Sequence, residues 1–223
     1  IQDEDPMLPN YGNVSQNPQL IHINYTLQAN GDIMHANGFD YDEDKDVIYL
    51  SINFYGEVWV IDHSTTTAEA ASSTGGNYGK GGNLIYRFGN PLAYDNTFGE
   101  VRSDSNHFPN LLENGVPGEG NILLFMNGKV DSASKVLELE MPATFSLTPD
   151  TDNEPNLVWS YDHPDLFAGR ISGAVRLSNG NTLICEGDFG FWEVTPEKEI
   201  VWRYNGGGES FWRCYDYEAD DQA

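Results

Sequence analysis

The chain has 223 residues, of which 35 are acidic and 11 are Lys or Arg, so its formal net charge at pH 7 is −24. This balance excludes a nucleic-acid-binding protein, because such proteins need a basic surface. No run of about 18 or more apolar residues occurs, so no membrane-spanning helix is expected. Aromatic residues make up 13% of the sequence, which excludes a chain that is disordered throughout.

Residues 1–30 differ in composition from the rest of the chain. Residues 1–20 are rich in Pro, Asn, Gln and acidic residues, which is typical of an extended segment. Alternation of apolar and polar residues in Leu20–Leu27 predicts a strand, and a turn is expected at Asn30–Gly31. We therefore expect residues 1–30 to be an extended segment that ends with the last strand of a preceding structural unit.

Residues 31–205 contain three units, at 31–92, 101–162 and 168–205, each with four predicted strands separated by loops. Turn-forming residues such as Gly, Pro, Asn and Ser bound the strands. In chain order the predicted strands are Ile33–Tyr41, Val47–Ser51, Glu57–Asp62 and Leu84–Phe88; Asn106–Leu112, Asn121–Met126, Lys135–Glu140 and Leu157–Tyr161; Ile171–Leu177, Asn181–Cys185, Phe191–Val194 and Ile200–Tyr204.

The fourth strand of each unit has a common pattern, seen in Leu84-Ile-Tyr-Arg-Phe88, Leu157-Val-Trp-Ser-Tyr161 and Ile200-Val-Trp-Arg-Tyr204. Repeated groups of four antiparallel strands are typical of β-propeller blades. A β-sandwich is the competing all-β fold, but it does not predict a fourfold grouping with a shared motif. The sequence therefore predicts an all-β fold, a β-propeller of four-stranded antiparallel blades, with about three complete blades and partial ones in this chain.

Three blades are too few to close a ring, because propellers have about four or more. We expect residues 210–217 to begin a further blade and residues 218–223 to form an acidic tail. The chain is thus expected to be an arc of a larger ring. Another chain, or a missing N-terminal segment, would complete the propeller.

Several long motifs carry a resemblance to a known family. The stretch from Val58 to Pro91, with Met34-His-Ala-Asn37 before it, resembles the aryl-sulfate sulfotransferase (arylsulfotransferase) family. So do Gly118-Glu-Gly-Asn-Ile-Leu-Leu-Phe-Met-Asn-Gly128 and the stretch from Ile171 to Gly187. The likeness extends from about residue 3 to residue 217. This chain resembles the C-terminal half of the family's propeller.

The resemblance implies a six-bladed propeller that is secreted or periplasmic. Two sequons, Asn13-Val-Ser15 and Asn24-Tyr-Thr26, are compatible with secretion. The implied reaction moves a sulfuryl group from a phenolic sulfate ester to another phenol through a sulfated histidine. No nucleotide sulfate donor and no other cofactor take part, so the implied small-molecule partners are an aryl sulfate and a phenol.

Candidate site residues lie on the predicted innermost strands, which converge on the channel of a propeller. Alignment of the units by their second strands places His35 level with Arg170, while His107 and Arg213 occupy first-strand regions of other units. His35 and His107 are the predicted catalytic residues, as nucleophile or acid–base groups. Asn37, Arg170 and Arg213 are the predicted substrate-binding residues, since amide and guanidinium groups can hold a sulfonate.

Two positions depart from the family pattern. Asn106-His107-Phe108 stands where the family has a Gln-His-Asp run, and Arg170 stands where many relatives carry a histidine or another residue. These departures favour an alternative function, in which the propeller has kept its fold and lost its chemistry. Such a protein would act as an extracellular binding or assembly subunit.

The remaining polar and cysteine residues have simpler interpretations. His22, His63 and His163 are predicted to be structural, and no metal ligand set is predicted. Acidic clusters in the ranges 40–46 and 150–154 could hold Ca²⁺, but they lack the twelve-residue calcium-loop pattern, so solvated loops are the preferred interpretation. Cys185 and Cys214 either pair in an oxidising compartment or remain two buried thiols.

Overall fold

The structure, a computed structural model, describes residues 1, 5–9, 11–26, 30–128 and 133–217. The chain divides into two compact units. The first unit comprises residues 1–106 and 142–156, and the second comprises residues 107–141 together with the described part of 157–223. No helix among the described residues is long and apolar enough to cross a membrane.

The first unit contains one four-stranded antiparallel sheet with the strand order β1-β2-β3-β4. Its strands are β1 (Ala36–Asp42), β2 (Val47–Ile52), β3 (Glu57–Asp62) and β4 (Tyr86–Phe88). Strands β2 and β3 pair without a register shift, from Val47 opposite Asp62 to Ile52 opposite Glu57. The β3–β4 connection contains one helical turn, α1 (Thr67–Ala70), which begins with a capping box between Thr66 and Glu69.

Two further four-stranded sheets belong to the second unit, apart from the first residues of β5 and β8. Their strands run in the orders β5-β6-β7-β8 and β12-β11-β10-β9. The strands are β5 (Asn106–Leu111), β6 (Ile122–Met126), β7 (Lys135–Glu140), β8 (Asn156–Asp162), β9 (Gly173–Arg176), β10 (Thr182–Glu186), β11 (Gly190–Val194) and β12 (Ile200–Asn205).

The predicted fold class is confirmed: the chain is all-β, and sequence neighbours pair within each of the three sheets in the manner of a propeller blade. Each unit also has its own apolar core. In the second unit, Phe125 of β6, Ala174 of β9 and Trp192 of β11 share one buried cluster, so its two sheets pack on each other. In the first unit, Tyr55, Trp59 and neighbouring residues form a separate cluster.

The predicted strand at Leu20–Leu27 is wrong for its described part, because residues 20–26 form an irregular segment with a turn at 23–24. In this segment, backbone carbonyls accept hydrogen bonds from side chains and not from a neighbouring strand. Arg87 Nη1 donates to Leu20 O at 3.1 Å, and Tyr55 Oη donates to His22 O at 2.8 Å. Apolar and polar residues do alternate in this segment, but its carbonyls accept hydrogen bonds from buried side chains instead of pairing with another strand.

No strand forms within residues 210–217. This segment contacts the sheet formed by β9 to β12. Phe211 N donates to Gly187 O at 2.9 Å, and the Cys214 thiol donates to Leu183 O at 3.6 Å. Its assignment to a further blade stays a prediction. The predicted acidic tail, 218–223, lies outside the described residues.

The repeated fourth-strand motif supplies a buried ion pair in the first unit. Arg87 of β4 and Glu57 of β3 are both fully buried, and Arg87 Nε donates to Glu57 Oε1 at 2.7 Å. Trp59 Nε1 donates to the same carboxylate at 2.8 Å, and the guanidinium lies over the Tyr94 ring at 4.5 Å. Burial raises the pKa of Glu57, whereas the nearby Arg87 charge opposes that shift.

Candidate functional site

His107 lies near the start of β5 and is half-buried. Its Nδ1 hydrogen-bonds to Oδ1 of Asn127, the residue that directly follows β6. Asn127 Nδ2 donates to two backbone carbonyls, Ala168 O at 3.0 Å and Ile171 O at 2.9 Å. The two carbonyls fix the orientation of the amide, because only its nitrogen can donate to them.

The fixed amide determines the tautomer of neutral His107. Asn127 Oδ1 can only accept a hydrogen bond, so His107 Nδ1 must carry the proton. The lone pair of the neutral ring then lies on Nε2. An imidazole held in this way through Nδ1 can act through Nε2 as a nucleophile or a base.

Three residues in the neighbourhood of this histidine have a strained backbone. Phe108, Ile171 and Ser172 have φ values of 52°, 50° and 87°, in the left-handed region that favours glycine. All three residues are buried, and Ile171 is β-branched, for which this region is a rare outlier. Such strain persists only where the surroundings enforce it, and it clusters at functional sites.

The two predicted sulfonate-binding arginines also lie in the second unit. Arg170 is 67% exposed, and its Nη2 is 3.4 Å from Asp188 Oδ1 and 3.5 Å from Ser210 Oγ. The guanidinium carbon of Arg213 lies 5.0 Å from the ring centroid of Phe108, the residue after His107. Both contacts of Arg170 are long, so its side chain is only weakly held at this surface.

His35 lies in the first unit, directly before β1, and it also has a positive φ of 53°. Its Nδ1 is 2.6 Å from Asp32 Oδ2, and its backbone N donates to Asp32 Oδ1 at 3.0 Å. The His35 ring stacks on Phe54 with a centroid distance of 4.9 Å. An aspartate that holds Nδ1 of a histidine fixes the orientation of the ring, an arrangement found in acid–base histidines.

The side-chain amide of Asn37 contacts a backbone carbonyl. Its Nδ2 donates to Asn106 O at 2.9 Å, and Asn53 Nδ2 donates to the same carbonyl at 3.0 Å. Asn106 Nδ2 in turn donates to Ser51 Oγ and to Glu57 O. These amides fix the residue that precedes His107 in the chain, and the substrate-binding role of Asn37 stays a prediction.

The other histidines have structural contacts. His63 Nδ1 is 2.7 Å from Asp46 Oδ1, and the His163 ring meets the edge of Trp192 with a centroid distance of 5.3 Å. His22 is buried in the first unit. Neither cysteine forms a disulfide in the structure, and burial raises the pKa of both thiols, that of Cys185 to about 12.

The acidic clusters at 40–46 and 150–154 are used for local contacts. Asp42 pairs with Lys45 at 2.7 Å, Asp46 accepts from Tyr41 Oη, and Asp150 accepts from Gln16 Nε2. Within the described part of the chain, no group of three or more His, Cys, Asp or Glu side chains is arranged to hold a metal ion.

The burial of Glu154, a member of the acidic cluster at 150–154, was not expected from the sequence. Its Oε2 accepts from Gly89 N at 2.7 Å, and its Oε1 is buried without a hydrogen-bond partner among the described residues. Burial raises the pKa of Glu154 to about 8. No signal in the sequence distinguishes it from the exposed acids around it, because its burial depends on the fold of residues 142–156 onto the first sheet.

Asp32 and Asn127 were also missed as partners of the candidate histidines. The spacing Asp32-x-x-His35 is compatible with a local side-chain contact, so it is a usable signal. Asn127 is twenty positions from His107 in sequence, and only the pairing of β5 with β6 brings the two together. The structure thus places His107, Arg170 and Arg213 in one unit and His35 with Asn37 in the other.

Comparison with solved structures finds proteins that are similar to this chain in structure at low sequence identity. A protein of unknown function from Bacteroides caccae matches with a TM-score of 0.46 and 12% identity over 77% of this chain and 51% of that one. The β-propeller domain of Cps50 (Swd1) from Myceliophteria thermophila matches with a TM-score of 0.46 and 13% identity over 80% of this chain and 45% of that one. The WD40 domain of SCAP from fission yeast matches with a TM-score of 0.33 and 12% identity, over 78% and 41%.

The chain spans between 41% and 51% of the length of these three structures. No protein-family model matches the chain, and no curated protein matches it. The class supported by the chain's own strand pairing is an all-β protein built of four-stranded, blade-like sheets. The resemblance to aryl-sulfate sulfotransferases rests on the sequence motifs alone.

Proposed function

We propose that the protein is a histidine-dependent sulfuryl transferase of the aryl-sulfate type. The observation that carries the proposal is the contact between His107 Nδ1 and Asn127, whose amide is fixed by two backbone carbonyls. This arrangement directs the lone pair of neutral His107 to Nε2.

The first half of the proposed reaction sulfates the histidine. Nε2 of His107 attacks the sulfur of an aryl sulfate, and an N–S bond forms as the S–O bond to the aryl group breaks. The electron pair of the broken bond leaves with the phenolate, which then takes up a proton. His35 is the second predicted catalytic residue, and its Asp32 contact suits a proton-transfer role.

The second half returns the histidine to its starting form. The oxygen of an acceptor phenol attacks the sulfur and loses its proton, while the N–S bond breaks and its electron pair returns to Nε2. No nucleotide donor, metal ion or redox partner is needed for the balance of either step. The products are a new aryl sulfate and the free enzyme.

An anionic sulfate ester needs positive charge near His107 in order to bind, because the chain as a whole carries a net charge of −24 and repels anions. Arg213 and Arg170 are the proposed sulfonate-binding residues. Asn37 is the third residue that the sequence predicts to bind substrate. Of the two arginines, Arg213 is favoured because it lies against Phe108, next to His107 in the chain. Secretion or export to a periplasm, and completion of the ring by another chain or segment, belong to the same proposal.

The test is a steady-state assay with 4-nitrophenyl sulfate as donor and a phenol as acceptor. We expect release of 4-nitrophenol that depends on the acceptor and that is lost in His107→Ala. The matched control is His63→Ala, since His63 is an exposed histidine that contacts Asp46. Equal activity of His107→Ala and the unmodified protein would refute the assignment of His107.

A second candidate function is a binding or assembly subunit without catalysis, and β12 favours it. This edge strand is exposed along its whole length, and Val201, Trp202 and Tyr204 are 53%, 47% and 49% exposed. An exposed apolar edge strand is a pairing site for another chain. Native mass spectrometry of Trp202→Ser, with Trp212→Ser as the control, tests it: only the β12 variant should lose a bound partner chain.

A further inference from the structure

A cavity of about 230 Å³ lies in the second unit, between the end of β5, β9 and the segment that follows β12. It is lined on one side by the apolar side chains of Leu111, Val116 and Val175. Tyr215 lines it as well, and its ring meets Phe108 edge-on with a centroid distance of 5.8 Å. The volume is below the range of drug-sized pockets, so a single ring fits better than a longer ligand.

The charged lining of the cavity contains two carboxylates, Glu113 and Asp216. Neither side chain receives a hydrogen bond or forms an ion pair with another of the described residues. They offer acceptor oxygens and negative charge to whatever enters. Together with the net charge of −24, they disfavour an anionic ligand.

Arg176 contributes donors to the same cavity. Its side chain is 7% exposed, and it donates to Glu138 Oε2 at 2.6 Å and to Pro117 O at 3.2 Å. A guanidinium has five N–H groups, and these two contacts use only two of them, so an acceptor oxygen at this wall can receive a further hydrogen bond from Arg176.

The combination favours hydroxyl groups over simple ions. A cation would satisfy Glu113 and Asp216, but it offers no acceptor to Arg176, whose charge is already balanced by Glu138. An anion would satisfy Arg176 but would be repelled by the two carboxylates. A hydroxyl group both donates and accepts, and the nearby Asn110 and Ser178 side chains can do the same.

We propose that this cavity binds a neutral sugar ring. The apolar C–H face of the ring would lie against Tyr215, while its hydroxyl groups donate to the two carboxylates and accept from Arg176. The site uses residues other than the proposed sulfuryl-transfer residues, so it does not depend on that function. It would give the protein a carbohydrate-binding activity.

The test measures sugar binding to the full chain by saturation-transfer NMR and by titration, with D-glucose, D-galactose, D-mannose and N-acetyl-D-glucosamine. At least one sugar should bind saturably with a millimolar dissociation constant. Tyr215→Ala should weaken binding about tenfold through loss of the ring contact. Tyr217→Ala is the matched control, since Tyr217 is 69% exposed and does not line the cavity.

A second variant, Glu113→Gln with Asp216→Asn, keeps the shape of the cavity and removes its negative charge. It should weaken sugar binding several-fold, and circular dichroism should show the fold of the unmodified protein. Tetramethylammonium and acetate are the ionic probes. The proposal is overturned if no sugar saturates, if Tyr215→Ala and Tyr217→Ala bind equally, or if either ion displaces the sugar from the cavity.

Discussion

The candidate histidines differ in the group that holds Nδ1. A neutral amide holds His107, whereas a carboxylate holds His35 at 2.6 Å. A carboxylate and an amide oxygen both accept from Nδ1, so each contact orients its ring and places the proton of the neutral imidazole on Nδ1. The two sites differ in the charge of the group that holds the ring.

Replacement of Asn127 tests its role in orienting His107. Asn127→Ala removes the acceptor for His107 Nδ1, so we expect kcat for aryl-sulfate turnover to fall at least about tenfold, the value of one hydrogen bond of about 1.4 kcal/mol. Asn96→Ala is the control, because Asn96 is also a buried amide whose Nδ2 donates to a backbone carbonyl, Thr151 O at 2.9 Å, and it has no contact with the His107 strand. Equal kcat values for the two variants would contradict a role for Asn127 in orienting the histidine.

Glu154 predicts a specific pH dependence of stability. Burial raises its pKa from 4.5 to about 8 in the folded chain, so the folded state binds this proton more tightly than the unfolded state. The stabilising contribution is therefore complete below about pH 4.5 and is lost as the pH rises toward about 8. The loss is on the order of 3 kcal/mol, after a discount for partial exposure.

Glu154→Gln should remove that slope, since glutamine can still accept from Gly89 N. The measurement is the free energy of unfolding by urea at several pH values between 4.5 and 8, as a difference from the unmodified protein. Glu100→Gln, at an exposed glutamate, is the control. An unchanged slope in Glu154→Gln would show that this carboxyl is already ionised at neutral pH.

Among the elements, β3 and β4 depend on the buried pair of Arg87 and Glu57. Arg87→Met leaves the Glu57 carboxylate buried without its cation, so we expect a loss of about 3–5 kcal/mol in the free energy of unfolding. Lys45→Met removes the cation of a pair with an accessible lysine and should cost about 1 kcal/mol or less. Chemical denaturation of both variants checks the comparison, and similar losses would mean that Arg87 contributes no more than a surface charge.

Most strands were predictable because alternation of apolar residues between turn-forming residues reports burial directly. The β3 and β7 bounds agree with the prediction, as Glu57–Asp62 and Lys135–Glu140. Leu20–Leu27 has the same alternation and was predicted wrongly. Its carbonyls accept from the side chains of Arg87 and Tyr55, which lie far away in sequence.

The candidate site was predictable only in part. The motifs select His35 and His107, but they do not reveal Asn127 or the strained backbone at Ile171, because both depend on contacts between strands. The motif predicts Asn37 as a substrate ligand, and it does not reveal that the Asn37 amide donates to Asn106 O. A motif specifies a residue type, whereas the tertiary contacts decide its function.

At the scale of the whole molecule, 35 acidic residues against 11 basic ones make self-repulsion a general feature of the folded chain. Raising NaCl from about 0.01 M to about 1 M shortens the Debye length from about 30 Å to about 3 Å. We therefore expect the unfolding temperature to rise with salt, as measured by calorimetry. A decrease would indicate that attractive ion pairs, such as Lys45 with Asp42, outweigh the repulsion.

The proposed activity predicts a covalent intermediate, and its detection is the most direct test. The full chain is incubated with an aryl sulfate in the absence of acceptor, quenched at alkaline pH, and analysed by intact and peptide mass spectrometry. The proposal predicts one added sulfo group on His107, which disappears when a phenol is supplied and never forms in His107→Ala. An unmodified His107 together with release of phenol, or a sulfo group on another residue, would contradict it.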